Sequence, residues 1–156
     1  MKKNEFEIFA DYHMIFVQDN AMKDEYNDVD WSDEDLRDML YIINSGFIIG
    51  TARSMTVPLT VNIHESEPVI NQLEWDQIVA CSIDLPSGVL SISGTSDYIE
   101  DHKKITLKPG AYNAVICYTG LGTISDDGLE GDDSYFLNIW PSDRPQPRKV
   151  IKLNQL

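Results

Sequence analysis

The chain has 156 residues, 42% of them hydrophobic and 10% aromatic, which excludes a largely disordered protein and leaves room for one folded domain. Twelve basic residues oppose 26 acidic residues, so the formal net charge at pH 7 is −14. Such a chain repels phosphates and anionic lipids, which argues against direct binding of nucleic acids or membranes. The charge fits a basic partner, and the alternative is that the acidic surface only keeps the protein in solution.

Residues 5–17 alternate between two faces, and this pattern predicts one long strand. The face expected to be buried carries Phe6, Ile8, Ala10, Tyr12, Met14 and Phe16.

Residues 19–38 form a strongly acidic segment with nine acidic residues and only two basic residues, Lys23 and Arg37. Ser32 and Asp35 have the spacing of a capping box, which predicts a short helix over 33–41. The residues expected on its apolar side are Leu36, Met39, Leu40 and Ile43. The acids of its first turn also suit the positive end of the helix dipole.

Further strands are predicted over 47–53, 55–63, 76–84, 89–93, 104–107, 111–119 and 135–140. Pro58 indicates an edge position in the second of these. Short strands separated by turn residues, without long helical crossovers, predict a mainly β fold: a single-domain antiparallel β-sandwich with one short helix.

Residues 120–133 form a second acidic segment that is rich in glycine and contains no basic residue. The sandwich domain is expected to cover residues 1–140. Residues 141–156 form a proline-rich tail that could add an edge strand or remain a flexible end.

No local motif indicates catalysis, since the three histidines lie in no nucleophile or zinc pattern. Cys81 and Cys117 lie in apolar stretches and are expected to be buried, reduced thiols, with a disulfide between neighbouring strands as the alternative. The sequence therefore predicts a protein that is not an enzyme and has no cofactor and no metal. The alternative for the aspartates at 126, 127, 132 and 133 is calcium, in a ligand-binding or adhesion sandwich.

The chain contains no apolar run that would serve as a signal peptide or a membrane span. We therefore expect a cytoplasmic protein.

Several short motifs resemble the competence protein J family. They are Tyr12-His13, Asp30-Trp31-Ser32-Asp33-Glu34, Gly46, Arg53, Asp84-Leu85-Pro86 and Pro109-Gly110 with Tyr112. The resemblance spans 8–140, and only the segment around Trp31 is distinctive. It implies a bacterial, non-enzymatic inhibitor of the nuclease of DNA uptake. The 120–133 loop and the tail after Trp140 are longer than the family leads us to expect, so the partner could differ from the family's. An immunity protein against a nuclease-type toxin is therefore an alternative.

The resulting hypothesis is an acidic protein that fills the basic cleft of a nuclease as a DNA substitute, with Trp31 as an apolar anchor. Trp31 could instead be a loop or core anchor. The carboxylates expected to bind the partner are Asp28, Asp30, Asp33, Glu34, Asp35, Asp126, Asp127, Asp132 and Asp133. A further alternative is an acidic domain with no partner beyond its own copies.

Overall fold

A computed structural model describes residues 1–23 and 29–155. The strands form a six-stranded sheet of order β1-β5-β10-β9-β6-β11 and a five-stranded sheet of order β3-β4-β2-β7-β8. The strands are β1 (Lys2–Phe9), β2 (Met14–Asp19), β3 (Leu40–Ile43), β4 (Gly46–Gly50), β5 (Thr56–Ile63), β6 (Gln77–Leu85), β7 (Val89–Gly94), β8 (Lys103–Thr106), β9 (Gly110–Thr119), β10 (Ser134–Pro141) and β11 (Lys149–Lys152). The helix α1 covers Asp33–Asp38, and one-turn 3-10 helices cover Asp11–His13, Gln72–Glu74, Ile99–Asp101 and Leu121–Thr123.

The mainly β sandwich predicted from the sequence is confirmed. Its core lies between the two sheets, where β6 and β9 contribute alternate residues, including the buried Tyr118. Cys81 belongs to this core, while Cys117 packs on the outer face of the larger sheet beside Trp140. Both thiols are free and buried. Burial raises the pKa of each, that of Cys117 to about 12, so both stay protonated at neutral pH.

The prediction of one strand over 5–17 is wrong. The chain turns at Asp11–His13, and β1 and β2 belong to opposite sheets. The turn shifts the alternation by one residue, so Ile15 and Val17 enter the core while the Tyr12 side chain is 69% exposed. A two-residue period persists on either side of the turn, which is why the sequence pattern did not reveal the break.

The predicted helix exists but ends earlier than expected. Ser32 and Asp35 form the expected capping box, and Met39 ends the helix in the left-handed conformation at φ 55°. Leu40 and Ile43 therefore belong to β3 and not to the helix.

One strand pair departs from the antiparallel pattern. Strand β5 pairs in parallel with β10 and in antiparallel orientation with β1, so it lies inside the larger sheet. The edge position expected for Pro58 is therefore wrong for the strand as a whole. Pairing between β5 and β10 begins at Leu59. Pro58 precedes this pairing, so its missing backbone N–H costs no hydrogen bond to β10.

Strand β11 lies in the C-terminal segment and pairs with β6, so β11 forms one edge of the larger sheet. Gln146 precedes it and donates from Nε2 to the carbonyls of Cys81 and Ala114, at 2.8 and 3.0 Å. None of the helices formed by residues 1–23 and 29–155 is long and apolar enough to cross a bilayer.

The strand register brings several connections to one end of the sandwich. Phe9 pairs with Thr56, Met14 with Gly50, and Thr119 with Ser134. The turn after β1, the 51–55 segment, the 120–133 loop and α1 therefore meet at this end, which we call the acidic end. The opposite end carries the far termini of β5 and β10.

Candidate functional site

The helix α1 is fixed at its start by reciprocal hydrogen bonds. The Ser32 N–H donates to the Asp35 carboxylate at 3.0 Å, and the Asp35 N–H donates to the Ser32 hydroxyl at 3.1 Å. The two bonds satisfy two of the backbone donors that a helix start leaves unpaired. Asp33 and Glu34 are consequently held at defined positions, and both side chains are exposed.

Arg148, from the C-terminal segment, lies against the inner side of α1. Its guanidinium binds Asp35 directly, lies 3.6 Å from both Glu34 and Asp38, and donates to the Leu40 carbonyl at 3.2 Å. Burial alone would raise the pKa of Asp35, but the hydrogen bonds from Arg148 and Ser32 outweigh it and lower that pKa. Asp35 is therefore engaged within the chain.

The segment before α1 packs on the outer face of the five-stranded sheet. Val29 and Trp31 contact a cluster formed by Phe16, Ile43 and Ile48. The rings of Trp31 and Tyr41 lie 5.3 Å apart, inclined by 37°. Trp31 thus holds this segment against the sheet, and its role in partner binding stays a prediction.

Trp31 also forms one wall of an open groove of about 430 Å³. The groove is predominantly apolar, and its lining consists of Tyr12, His13, Trp31, Leu36, Met39, Gly50 and Thr51. Two of these side chains are unusually exposed for their size, Tyr12 at 69% and Leu36 at 60%. The groove lies at the acidic end, because the turn after β1, the end of β4 and α1 all contribute to it.

The turn that carries Tyr12 and His13 is conformationally strained. Both residues have positive φ, 59° and 63°, a region that residues other than glycine rarely adopt. Hydrogen bonds hold the turn: the Tyr12 N–H donates to the Ser54 hydroxyl at 2.9 Å, and His13 Nδ1 lies 3.0 Å from the Thr51 carbonyl. A carbonyl only accepts, so this His13 nitrogen carries the proton.

The 120–133 loop is attached to the sandwich by a buried ion pair. Asp133 lies 2.6 Å from Arg53 Nε and accepts a second hydrogen bond, also of 2.6 Å, from the Tyr135 hydroxyl. Burial and the adjacent carboxylate raise the pKa of Tyr135, so the phenol keeps its proton and donates. Arg53 Nη1 also donates to the Leu129 carbonyl at 3.1 Å. Asp133 is buried, and this ion pair gives it a structural role.

Three aspartates of this loop face solvent, Asp126, Asp127 and Asp132, as does Glu130. The Ser125 hydroxyl at 2.6 Å and the Leu129 N–H at 3.0 Å bind Asp127, and these hydrogen bonds lower the pKa of Asp127. The Asp132 N–H donates to the Thr123 hydroxyl at 2.7 Å. The loop is thus internally bonded.

The structure sorts the partner-binding residues expected from the sequence into three groups. Those exposed on α1, just before it, or on the 120–133 loop are Asp30, Asp33, Glu34, Asp126, Asp127 and Asp132. Asp35 and Asp133 are engaged inside the chain, and Trp31 is a partly buried wall of the groove. Asp28 lies outside the described residues.

Sequence reasoning missed the groove. Tyr12 was assigned to the buried face of a strand and Leu36 to the buried side of a helix, but both are exposed. The Tyr12-His13 motif, which belongs to the family resemblance, was the signal in the sequence that could have drawn attention to this turn. Among residues 1–23 and 29–155, no group of three or more histidine, cysteine, aspartate or glutamate side chains is arranged to hold a metal ion.

No family model and no curated protein matches the sequence. Two solved structures do match the fold. One is ComJ from Bacillus subtilis, described as an inhibitor of the DNA degrading activity of NucA, with a TM-score of 0.66 and 16% identity over 91% of this chain and 96% of that chain. The other is described as crocagin biosynthetic gene J, with a TM-score of 0.60 and 19% identity over 92% of this chain and 100% of that chain.

The two matches extend over nearly the whole sandwich, and the resemblance stated from the sequence is thereby confirmed at the level of the fold. This chain has the fold of the nuclease inhibitor ComJ.

Proposed function

We propose that this chain is an inhibitor that binds a nuclease or a nuclease-type toxin and blocks its substrate cleft. The observation that carries the proposal is the structural likeness to ComJ, which extends over 91% of this chain. ComJ is described as a nuclease inhibitor. The low sequence identity leaves the cognate nuclease free to differ from NucA.

The distribution of charge supports a mode of inhibition. A nuclease holds phosphates in a basic cleft, and a rigid array of carboxylates can bind in that cleft in place of DNA. The acidic end offers such an array in Asp30, Asp33 and Glu34 near α1 and in the three exposed aspartates of the 120–133 loop. The net charge of −14 extends the attraction beyond direct contact.

The rigidity of the array also supports the proposal. The Ser32 and Asp35 bonds and the Arg148 contacts fix α1, and the Arg53 pair with Asp133 fixes the start of β10. A surface that is already ordered loses little conformational entropy when it binds. By contrast, no observation on the described residues favours the alternative of a calcium-binding adhesion module.

The test uses a purified basic nuclease encoded beside this gene and measures the degradation of plasmid DNA and the association rate. The altered protein carries Asp30→Asn, Asp33→Asn and Glu34→Gln. The matched control carries Glu65→Gln, Glu67→Gln and Asp143→Asn, three exposed acids at or beyond the opposite end. Both proteins lose three negative charges.

We expect the acidic-end variant to associate about tenfold more slowly at low salt, with a flatter dependence on salt, and the control to resemble the parent protein. Equal effects in the two variants would contradict the assignment of the acidic end. If the parent protein neither binds nor inhibits the nuclease at low salt, the proposed function fails.

A further inference from the structure

The groove at the acidic end combines an apolar lining with a large exposed surface. Its lining comes from the turn with Tyr12, the Trp31 segment, α1 with Leu36 and the end of β4. Tyr12 and Leu36 are 69% and 60% exposed, although folding normally buries side chains of this size. Clustered exposed apolar residues commonly mark an interaction site.

The groove is already formed without an occupant. Its Tyr12 wall sits on a turn with two successive positive φ values, held by Ser54 and Thr51. Its Met39 floor is the left-handed end of α1, and the Met39 carbonyl accepts hydrogen bonds from the Gly50 N–H at 2.9 Å and the Tyr118 hydroxyl at 2.7 Å. Backbone strain maintained by surrounding contacts is characteristic of binding sites.

The surroundings of the groove are negative. Asp30 adjoins Trp31 in sequence, and Asp33 lies one helical turn before Leu36, on the same side of α1. The nearby cations are engaged, since Arg37 binds Asp38 at 3.0 Å and Arg148 binds Asp35. An occupant of the groove therefore meets apolar walls and, beside them, carboxylates whose charge is not neutralised by these arginines.

We propose that the groove receives one large apolar side chain of the protein partner, from a segment that carries lysine or arginine on both sides. The inference deepens the proposed function and rests on it. It reverses the role first expected for Trp31: this chain supplies the pocket, and the partner supplies the anchor. Charge then governs the rate of encounter, while the groove governs the lifetime of the complex.

The first test compares two single variants. Leu36→Ser changes a groove wall, and Leu73→Ser changes a residue that is 89% exposed and lies outside the groove. We expect Leu36→Ser to weaken the binding of the neighbouring nuclease about tenfold or more, mainly through faster dissociation and with an unchanged salt dependence. Leu73→Ser should leave binding unchanged.

The second test needs no known partner. A titration followed by ¹⁵N NMR uses a capped pentapeptide of four lysines around a central phenylalanine, and a matched peptide with serine at its centre. We expect only the phenylalanine peptide to shift the Trp31 indole and the Gly50 amide in the parent protein, and these shifts to disappear in Leu36→Ser. Circular dichroism checks that both serine variants are folded.

The outcomes separate this inference from the proposed function. The inference alone would be overturned if Leu36→Ser still inhibited the nuclease as the parent protein does. It would also be overturned if the two peptides gave equal shifts at the groove, or if neither gave any. If the phenylalanine peptide shifts the groove signals but the protein does not inhibit the nuclease, the proposed function fails. The groove would then still be a binding site for basic peptides that contain an apolar residue. A dimer in sedimentation that Leu36→Ser dissociates would overturn the inference in favour of a second copy of this chain.

Discussion

Arg148 binds Asp35 across a separation of 113 residues and thereby joins the C-terminal segment to α1. Arg148 thus neutralises Asp35 on the inner side of α1, whereas Asp33 on the same helix is exposed. Tail and helix are in consequence parts of one structural unit.

We expect Arg148→Gln to lower the free energy of unfolding by about 2 kcal/mol, because it leaves partly buried carboxylates without their charged donor. It should also raise hydrogen exchange in α1, which loses its attachment. Arg144→Gln is the control, since the Arg144 side chain is exposed and only its backbone makes the described hydrogen bonds. Unchanged exchange in α1 would show that the helix does not depend on this arginine.

The buried pair of Arg53 and Asp133 gives a second prediction. Asp133→Asn should destabilise the protein by about 3–5 kcal/mol, because it leaves the Arg53 charge buried without compensation. The adjacent exposed residue supplies the control, and Asp132→Asn should change stability by no more than about 0.5 kcal/mol. Urea denaturation measures both, and similar midpoints for the two variants would contradict the structural role of Asp133.

Two glycines of the 120–133 loop test its packing. Gly120 and Gly128 have nearly equal φ, 72° and 76°, but a Cβ on Gly120 would lie 2.2 Å from the Asp132 carbonyl oxygen, whereas one on Gly128 would meet nothing within 4 Å. Gly128→Ala should cost about 1 kcal/mol through backbone strain alone. Gly120→Ala should lower the melting temperature clearly further, and equal losses would mean that the loop yields to the clash.

A pH-dependent contribution is expected from Asp19, which is fully buried. Burial alone would raise its pKa, but hydrogen bonds from Ser87, Ala21 and Met22 outweigh it and lower the pKa below the ordinary 3.8. A carboxyl group with a lowered folded-state pKa stabilises the protein above its unfolded-state pKa, and that stability is lost as the pH falls from about 3.8 towards the folded-state value.

The matching experiment measures urea stability between pH 7 and pH 2. Asp19→Asn should reduce stability at pH 7 by about 2 kcal/mol and flatten the acid limb of the profile. Asp143→Asn, at an exposed position, should follow the parent curve. An unchanged acid limb in Asp19→Asn would show that other carboxylates govern acid unfolding.

The sequence predicted the features that depend on local signals. Alternation located most strands, and the Ser32 and Asp35 spacing located the start of α1. The break at Tyr12 left the alternation intact on both sides and was missed for that reason. The end of α1 at Met39 depends on a left-handed residue whose carbonyl accepts from Gly50, a tertiary contact that the helical spacing does not report.

The candidate site was predictable in its charge but not in its shape. The acidic segments are visible in the composition, whereas the burial of Asp133 depends on Arg53, 80 residues earlier, and the pairing of Asp35 depends on Arg148. The groove requires the register that pairs Met14, at the start of β2, with Gly50, at the end of β4. None of these pairings is encoded by spacing along the chain.

The parallel pair of β5 and β10 makes the larger sheet depend on two segments that are synthesised far apart in time. Asn62 and Asn138 face each other across that pair, 76 residues apart, and β10 is an inner strand of the larger sheet. The ribosome must therefore synthesise β10 before the pair of β1 and β5 acquires its inner neighbour. Pairing between distant segments is slow, so we expect the acidic end, where β5 and β10 begin, to be completed late in folding.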